Sequence, residues 1–481
     1  LTEAGPHRQI LICGGGPAGL AAALLFADLG WDEIILVERR DGPADFEPNK
    51  AFNYQIDPRG QQLLSKIGVA PMLERYGVAN DDFKLGIVGP DGSLKQREPP
   101  IINPLRGRCY WIRRASFQQM LFDAIASRGD PRIRLLYSHK FTGLVDLPDG
   151  RVAASVVGPG GETLSLTPDL ILGCDGLASQ VRTAVTTRPD VPAGHFAMVE
   201  HPSRSSGLAY KVLALPPTLS VRSATGVTTL DDHRLAYLIA SAPKPANEAL
   251  QLAAFPVASN DEPRSANIIR KPDHRLWTLK TVDSLFAFLE KSLPQLDVRA
   301  LISVEQAETF LGIDPGRFPI PQYARHLHHR LCSSGQQVLL IGDAAHAFPP
   351  DLGLGVNSAL EDLFCLAGHL EATPDRLDAA CAAHERQRLP QSAALVRLVQ
   401  TVFPEQYGHL PWRLKGWIAG FALRKLLHRL APRMFDKHAF LLVQEYWLSF
   451  DVIETMKQRT DRHIRWLGLT LAATLLALLV L

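Results

Sequence analysis

One run near the amino terminus, QILICGGGPAGLAAALLFADLGWDEIILVER (residues 9–39), constrains the fold of this 481-residue chain more than any other. An apolar, β-rich stretch from Gln9 to Cys13 meets Gly14, Gly16 and Gly19 in G-x-G-x-x-G spacing, and an Ala/Leu-rich helical segment follows to Gly30. A second strand, Ile34 to Val37, ends at Glu38, nineteen residues past Gly19. Each glycine answers a separate demand. Gly14 permits the tight turn, Gly16 lets a pyrophosphate approach the backbone, and Gly19 lets helix and strand pack closely. The phosphates are expected on the free N–H groups and positive dipole end of the helix. Val37 and Glu38 then meet the adenosine, with Glu38 accepting hydrogen bonds from the ribose hydroxyls. Arg39 and Arg40 are either pyrophosphate contacts or solvated surface arginines. A chance glycine turn would not bring strand, helix, second strand and terminal acid with it. The run therefore predicts an ADP-binding βαβ unit opening a parallel α/β sheet.

Two later stretches narrow the ligand. Asp169 to Cys174 reads as an apolar strand ending in Asp175-Gly176, with Ser179 and Arg182 on the following turn. Val338 to Ile341 reads as a buried strand ending in Gly342-Asp343. A loop with Pro349, Pro350, Gly353 and Gly355 precedes a helix from Val356 through Asp362. A carboxylate at the end of a parallel strand points into the crevice where cofactors bind, so Asp343 is placed for a ribityl chain. The helix opening at Gly355-Val356-Asn357 would aim its N–H groups at the flavin N1–C2=O edge, where the reduced ring carries negative charge. The three stretches together predict one FAD site.

These strings resemble the aromatic-hydroxylase group of flavoprotein monooxygenases, the para-hydroxybenzoate hydroxylase fold, over roughly residues 8–400. The resemblance implies that Asp175 contacts both the flavin and the nicotinamide donor. It implies that Arg114, in WIRRASFQQML, touches the flavin from its helix, and that Phe141, in SHKFTGL, lies where a strand passes the adenosine. The run AFNYQIDPRGQQLLSKIG (51–68) resembles the segment entering the flavin site of kynurenine 3-monooxygenases, with Asn53, Gln55 and Arg59-Gly60 in step. The activity implied is hydroxylation of an organic, aromatic substrate through flavin C4a-hydroperoxide, with NADH or NADPH as transient donor and O2 as co-substrate. The cofactor carries that chemistry, so no catalytic side chain is nominated. His346 is expected to be a packed, hydrogen-bonded histidine shaping its loop.

The departures bear on substrate. Where the resemblance calls for a carboxylate-binding arginine the chain has Leu85, with Lys84 beside it facing the other way. Arg108 and Tyr110 share a face and, with Lys84, are the candidate substrate contacts; the C-terminal contacts fall near Val402 and Ala439. Losing the clamp argues against L-kynurenine. It leaves room for a membrane-associated epoxidase or hydroxylase of a terpenoid, quinone or other lipophilic compound. A non-enzymatic FAD-binding sensor or scaffold shares every motif. A flavin halogenase would show W-x-W, which none of the seven tryptophans forms.

The expected architecture is an α/β FAD-binding Rossmann-like domain, discontinuous over 8–80, 105–185 and 312–385, with an inserted antiparallel substrate sheet from 81–104 and 186–311. Gly158-Pro159-Gly160-Gly161 reads as a hairpin turn, not a second phosphate loop. A C-terminal helical region, 386–463, and a membrane anchor, 464–481, follow. The anchor reading rests on an uncharged apolar run behind Trp466, flanked by Lys457, Arg459, Arg462 and Arg465, which would keep the catalytic body on the cytoplasmic side. WRLKGWIAGFALRKLLHRLAP (412–432) suits either a helix in the headgroup region or one packed on the body. A formal net charge of +2 gives no reason to expect nucleic acid. The six cysteines, Cys332 among them, are scattered without metal-ligand spacing and read as free thiols. No cleavable signal is expected, and the opening Leu1 suggests that a short leader precedes it.

Overall fold

The computed structural model describes residues 7–43, 45, 52–242, 245, 247–259, 261–331, 335–407 and 411–480; Leu1, Cys332 and Leu481 lie outside them. At its centre is a six-stranded sheet in the order His328–Leu331, Gln336–Leu340, Leu170–Gly173, Gln9–Cys13, Glu33–Val37, Ile133–Leu136. All neighbours run parallel except the first pair. The four inner strands are almost wholly buried, because helices and the antiparallel sheet Lys140–Asp146, Val152–Val157 and Thr163–Leu166 share one core with them, which explains their unbroken apolar runs. Gln9–Cys13 lies between Glu33–Val37 and Leu170–Gly173. The chain thus leaves its first strand on one side and returns on the other, and such a reversal opens a crevice at the carboxyl ends of the strands.

Register puts the motifs at that crevice. Cys13 is level with both Val37 and Gly173, and Gly173 with Leu340. Gly14, Glu38, Asp175 and Asp343 therefore all emerge at one edge of one sheet. The helix Pro17–Asp28 follows the glycine turn; its apolar residues are buried almost all round, wedged between the sheet and the helices Arg114–Arg128 and Gly355–Ala372.

A second sheet has seven strands in the order Gly316–Arg317, Ala209–Leu215, Arg264–Arg270, Gln251–Ala254, Ala236–Ala240, Leu85–Val88, Leu94–Arg97. It differs from the expected antiparallel sheet in one place. Leu85–Val88 joins Ala236–Ala240 in parallel, because the hairpin 85–97 comes from a distant part of the chain and docks against an existing edge. Helices Val282–Ser292, Val298–Leu301 and Val304–Gly312 seal one face with a separate apolar core around Leu213, Leu285 and Phe310. The Gly158–Gly161 segment is the turn of an antiparallel pair, with Gly158 N–H donating to Glu162 O at 2.9 Å.

The C-terminal helices Leu377–Val402, Pro411–Leu430, Ala439–Leu442 and Phe450–Val480 pack on this body. The expected membrane span is corrected here: among the described residues no helix is long and apolar enough to cross a membrane. The apolar tail is only the end of Phe450–Val480, whose first half is charged and tied down by Arg459–Asp436 at 2.5 Å and Arg424–Asp461 at 2.6 Å. The stretch beyond Trp466 covers roughly 21 Å at ~1.5 Å per residue, against ~30 Å of hydrocarbon.

Candidate functional site

The turn after the first strand is built on clearance. Gly14 has φ +109°, and a Cβ there would stand 2.5 Å from Cys174 O. A Cβ on Gly19 would stand 1.8 Å from Gly14 O, so only glycine lets the helix come this close. A Cβ on Gly16 would meet nothing within 4 Å. That open side faces the helix N-terminus, which no side chain caps and which starts with Pro17. Its free N–H groups suit a pyrophosphate.

Glu38 terminates the second strand as expected, and the structure ties it to the same turn. One carboxylate oxygen accepts Gly15 N–H at 2.6 Å; the other accepts Arg40 N–H and Nε, each at 3.0 Å. Burial alone would raise this carboxyl, but the hydrogen bonds and charge of Arg40 and the Gly15 N–H bring it below its ordinary value. Arg40 also donates to Gly15 O at 3.2 Å, as does Gln118 Nε2 at 3.1 Å. Val37 is buried between its neighbouring strands. Arg39 is exposed. Phe141 is buried in the core, on the strand Lys140–Asp146.

The second and third motifs meet across the sheet edge. Asp175 Oδ2 accepts the N–H groups of Gln180 and Val181 at 2.6 and 3.1 Å, while Oδ1 is buried with no partner. Burial raises this carboxyl despite those bonds. Arg182 donates to Ala344 O at 2.7 Å and so joins the Asp175-Gly176 turn to the Gly342-Asp343 turn. Asp343 itself is exposed at the crevice. Tyr54 marks the convergence: burial pushes its phenol up to about 12, Arg114 pulls it down, Asp343 pushes it up and Arg40 pulls it down. Residues from four distant segments therefore share one electrostatic environment.

Asn357 fixes the next wall. It is 1% exposed; Oδ1 accepts Asp57 N–H at 3.1 Å, and Nδ2 donates to Gln55 O at 2.7 Å and Gly353 O at 3.1 Å. This clasp holds the start of Gly355–Ala372, which no side chain caps, against the strand Asn53–Ile56. Val356 packs against the central core. A Cβ on Gly355 would meet nothing within 4 Å, so the start of this helix is sterically open. Gln55 Nε2 and Asn53 Oδ1 are buried without partners. The residues fit FAD: an open turn and uncapped helix end at Gly14–Gly19, an exposed carboxylate at Asp343, a second uncapped helix end at Gly355, and orphaned buried polar atoms at Asp175 and Gln55.

Behind this wall lies a charge network that sequence reading did not anticipate. Arg388, fully buried, donates to Asp362 Oδ1 at 2.8 Å and Glu361 Oε2 at 2.8 Å. Arg59 takes the other Glu361 oxygen and donates to Leu448 O at 2.9 Å. Asp362 also accepts Gly342 N–H at 3.0 Å and pairs with His346 Nε2 at 2.7 Å. Burial would raise Asp362, but His346 and Arg388 hold it far below the carboxylate range. His346 is thus a packed loop residue. The available signal was weak: an adjacent Glu-Asp pair inside an apolar helix, with an arginine one helix later.

The substrate candidates are placed less centrally. Arg108 pairs with Asp81 at 2.8 Å and Glu74 at 3.1 Å, and Tyr110 OH donates to Glu74 at 2.6 Å, so these two come together in a partly exposed cluster. Lys84 lies apart, exposed, near Asp82 and Glu98 at 3.9 and 4.0 Å. Val402 and Ala439 are buried in the C-terminal helical core.

Fold and site together define a flavoprotein of the aromatic-hydroxylase fold. Residues 7–208 and 319–398 match the FAD binding domain family, and the chain belongs to that family. It is 26% identical over 491 residues to a kynurenine 3-monooxygenase of Salinispora arenicola, covering 98% of this chain and 96% of the relative. A Drosophila melanogaster kynurenine 3-monooxygenase is 24% identical over 437 residues, covering 90% and 83%. Among solved structures, the tetrameric form of 2-methyl-3-hydroxypyridine-5-carboxylic acid oxygenase superposes with TM-score 0.57 at 17% identity, covering 84% of this chain and 94% of that one. Pseudomonas aeruginosa PqsL in complex with 2-aminobenzoylacetate gives 0.54 at 19% identity, covering 83% and 98%.

Proposed function

We propose that the chain is an FAD-dependent monooxygenase that consumes NADH or NADPH and O2 and hydroxylates a small organic, aromatic substrate. The observation that carries this reading is the convergence of three distant motifs at the carboxyl edge of one sheet, in a chain that aligns almost end to end with kynurenine 3-monooxygenases. When bound, FAD would take two electrons from NADH or NADPH and pass them to O2, which is the redox chemistry the protein itself lacks. The protein's part is binding, orientation and exclusion of water. The first-turn N–H groups of Pro17–Asp28 hold the diphosphate, with Glu38 and Arg40 stiffening the turn. Asp343 and Arg114 hold the ribityl and ring portions, and Gln55 and Asp175 offer their unpartnered atoms. The uncapped N-terminus of Gly355–Ala372 would favour negative charge on a flavin ring held there. Arg108, Tyr110 and Lys84 remain proposed substrate contacts.

The test is oxidation of NADH and NADPH by purified, flavin-loaded protein with candidate aromatics. Substrate-stimulated consumption with a hydroxylated product is expected. Flavin binding without stimulation by any compound would favour the scaffold reading. The named relatives are oxygenases and do not favour that alternative or the lipid epoxidase.

For cell address we propose attachment to a membrane surface rather than a span. Trp417 and Phe421 of Pro411–Leu430 pack inward, while Trp412, Ile418, Leu426 and Leu430 are exposed among Lys415, Lys425 and Arg429. Leu469 and Leu471 of Phe450–Val480 are exposed as well. Such a face suits the headgroup region of an anionic bilayer. Flotation with phosphatidylserine vesicles is the check, and recovery of all protein in the vesicle-free fraction would refute it.

A further inference from the structure

The loop that leads into Gly355–Ala372 has a second side. Where the turn Pro350–Leu352 faces the C-terminal helices, the described residues surround a cavity of about 470 Å3. Leu208, Phe403, Pro404 and Tyr407 give it apolar and aromatic walls, while Ser205 and Asp351 form a buried polar end. Asp351 is only 8% exposed. One of its oxygens accepts the Ser205 hydroxyl, and the other, Oδ1, is buried with no hydrogen-bond partner.

A buried carboxylate with an unused oxygen is costly unless something donates to it. Burial pushes this carboxyl up to about 6, with only the Ser205 hydroxyl opposing; among the described residues no cation contributes. Four basic side chains line the cavity: Arg204 pairs with Glu405, Arg413 lies over the Trp412 ring, His274 Nε2 hydrogen-bonds Ala249 O, and Lys271 is exposed; none of them is among the groups that shift Asp351. Tyr407 sits close enough for the Asp351 charge to raise its phenol further, after burial. The cavity therefore combines an aromatic wall with an uncompensated acceptor at its end. A carboxylate ligand would be repelled there; a cationic nitrogen on an apolar ring would be complementary.

We propose that this cavity, in place of the positions Arg108, Tyr110 and Lys84, receives the organic substrate, that the substrate is an arylalkylamine, and that its protonated nitrogen donates to Asp351 Oδ1 while its ring lies against Phe403 and Tyr407. The proposal rests on the monooxygenase reading and names its substrate class. Asp351 is a specificity residue, with Ser205 positioning its other oxygen.

The probes are phenethylamine and tyramine against 3-phenylpropionate and 3-(4-hydroxyphenyl)propionate, titrated into the FAD-loaded protein. Flavin absorbance reports binding, and NAD(P)H oxidation reports turnover. The amines are expected to bind at least about tenfold tighter than the acids, the gain of one charge-assisted hydrogen bond. Asp351→Asn should bring the two series within about threefold at unchanged flavin content. Ser205→Ala, which keeps the charge, should retain the preference. Leu208→Trp fills the cavity from its apolar wall and should abolish amine binding, which covers the case in which Asp351→Asn fails to fold. No amine binding at millimolar concentration, a preference for the acids, or an amine preference untouched by Asp351→Asn or Leu208→Trp would each overturn the proposal. The monooxygenase reading fails differently: amine binding and its dependence on Asp351 persist, yet no compound raises NAD(P)H oxidation.

Discussion

Replacing Arg388 with methionine tests whether the flavin loop is held from behind by charge. The guanidinium makes three contacts that matter: Nε to Asp362 Oδ1 at 2.8 Å, Nη1 to Glu361 Oε2 at 2.8 Å, and Nη1 to Gln391. Methionine fills similar volume and offers none of them. Glu361 keeps Arg59 on its other oxygen, and Asp362 keeps His346 and the Gly342 N–H. One oxygen on each carboxylate is left bare inside a core where all three side chains are at most 10% exposed. Breaking a buried pair in this way costs ~3–5 kcal/mol. At ~2–4 °C per kcal/mol, the melting temperature should fall by roughly 6–20 °C. Because Asp362 holds Gly342 and the same helix carries Asn357, flavin retention should drop alongside stability. The assay is thermal unfolding of the FAD-loaded protein by circular dichroism, with released flavin followed by fluorescence. Asp362→Asn in the Arg388→Met background removes one stranded charge and should recover part of the loss, with a coupling of ~1–3 kcal/mol. Melting within about 1 °C of the parent, well under the ~2–4 °C expected per kcal/mol, would refute the reasoning.

Three further outcomes are expected at the site. Asp343→Ala should purify with sharply reduced flavin, measured by the ratio of visible to ultraviolet absorbance; full occupancy would contradict its placement at the ribityl chain. Gly19→Ala forces a Cβ to 1.8 Å from Gly14 O and should abolish FAD uptake; normal uptake would show that the turn tolerates opening. Stability should fall on acidification from near neutrality. Burial pushes His384 down to about 3 and His438 down to about 4, from an ordinary 6.5. Between those values the unfolded chain binds protons that the folded one does not, so stability is full above pH ~6.5 and is lost towards pH ~4, at on the order of 1.4 kcal/mol per pH unit for His384. His384→Gln should flatten that slope in urea titrations at stepped pH, and an unchanged slope would remove His384 as its source.

The legible part of this protein is the part where backbone geometry demands a particular residue. Gly14 and Gly19 are read from spacing because no other residue clears Cys174 O and Gly14 O, Gly16 because its open side leaves room for a ligand, and Asp175 and Asp343 because they follow apolar strands. Register then did what sequence alone could only imply, bringing Cys13, Val37, Gly173 and Leu340 to one level. The Arg388–Glu361–Asp362 cluster is only faintly legible, since charged residues on helices normally face water and their partners lie on other elements. Arg108 and Tyr110 share a face as strand alternation required, but alternation says nothing about Glu74 and Asp81, which engage them. Asp351 was hidden between two prolines and a glycine, where an acid reads as an ordinary turn residue. The apolar tail misled because composition does not reveal that a charged, docked helix already precedes it.

Sheet order also has a consequence for how the chain is made. The strand Gln9–Cys13 finds Glu33–Val37 soon after both are synthesised, but its other neighbour is Leu170–Gly173, and that strand in turn awaits Gln336–Leu340. At ~5–20 residues per second each wait on the ribosome lasts on the order of ten seconds. Through that interval an apolar strand edge stands open to any other nascent chain. Expression yield should therefore respond to chaperone supply and to translation speed between these strands, more than to changes on the finished surface.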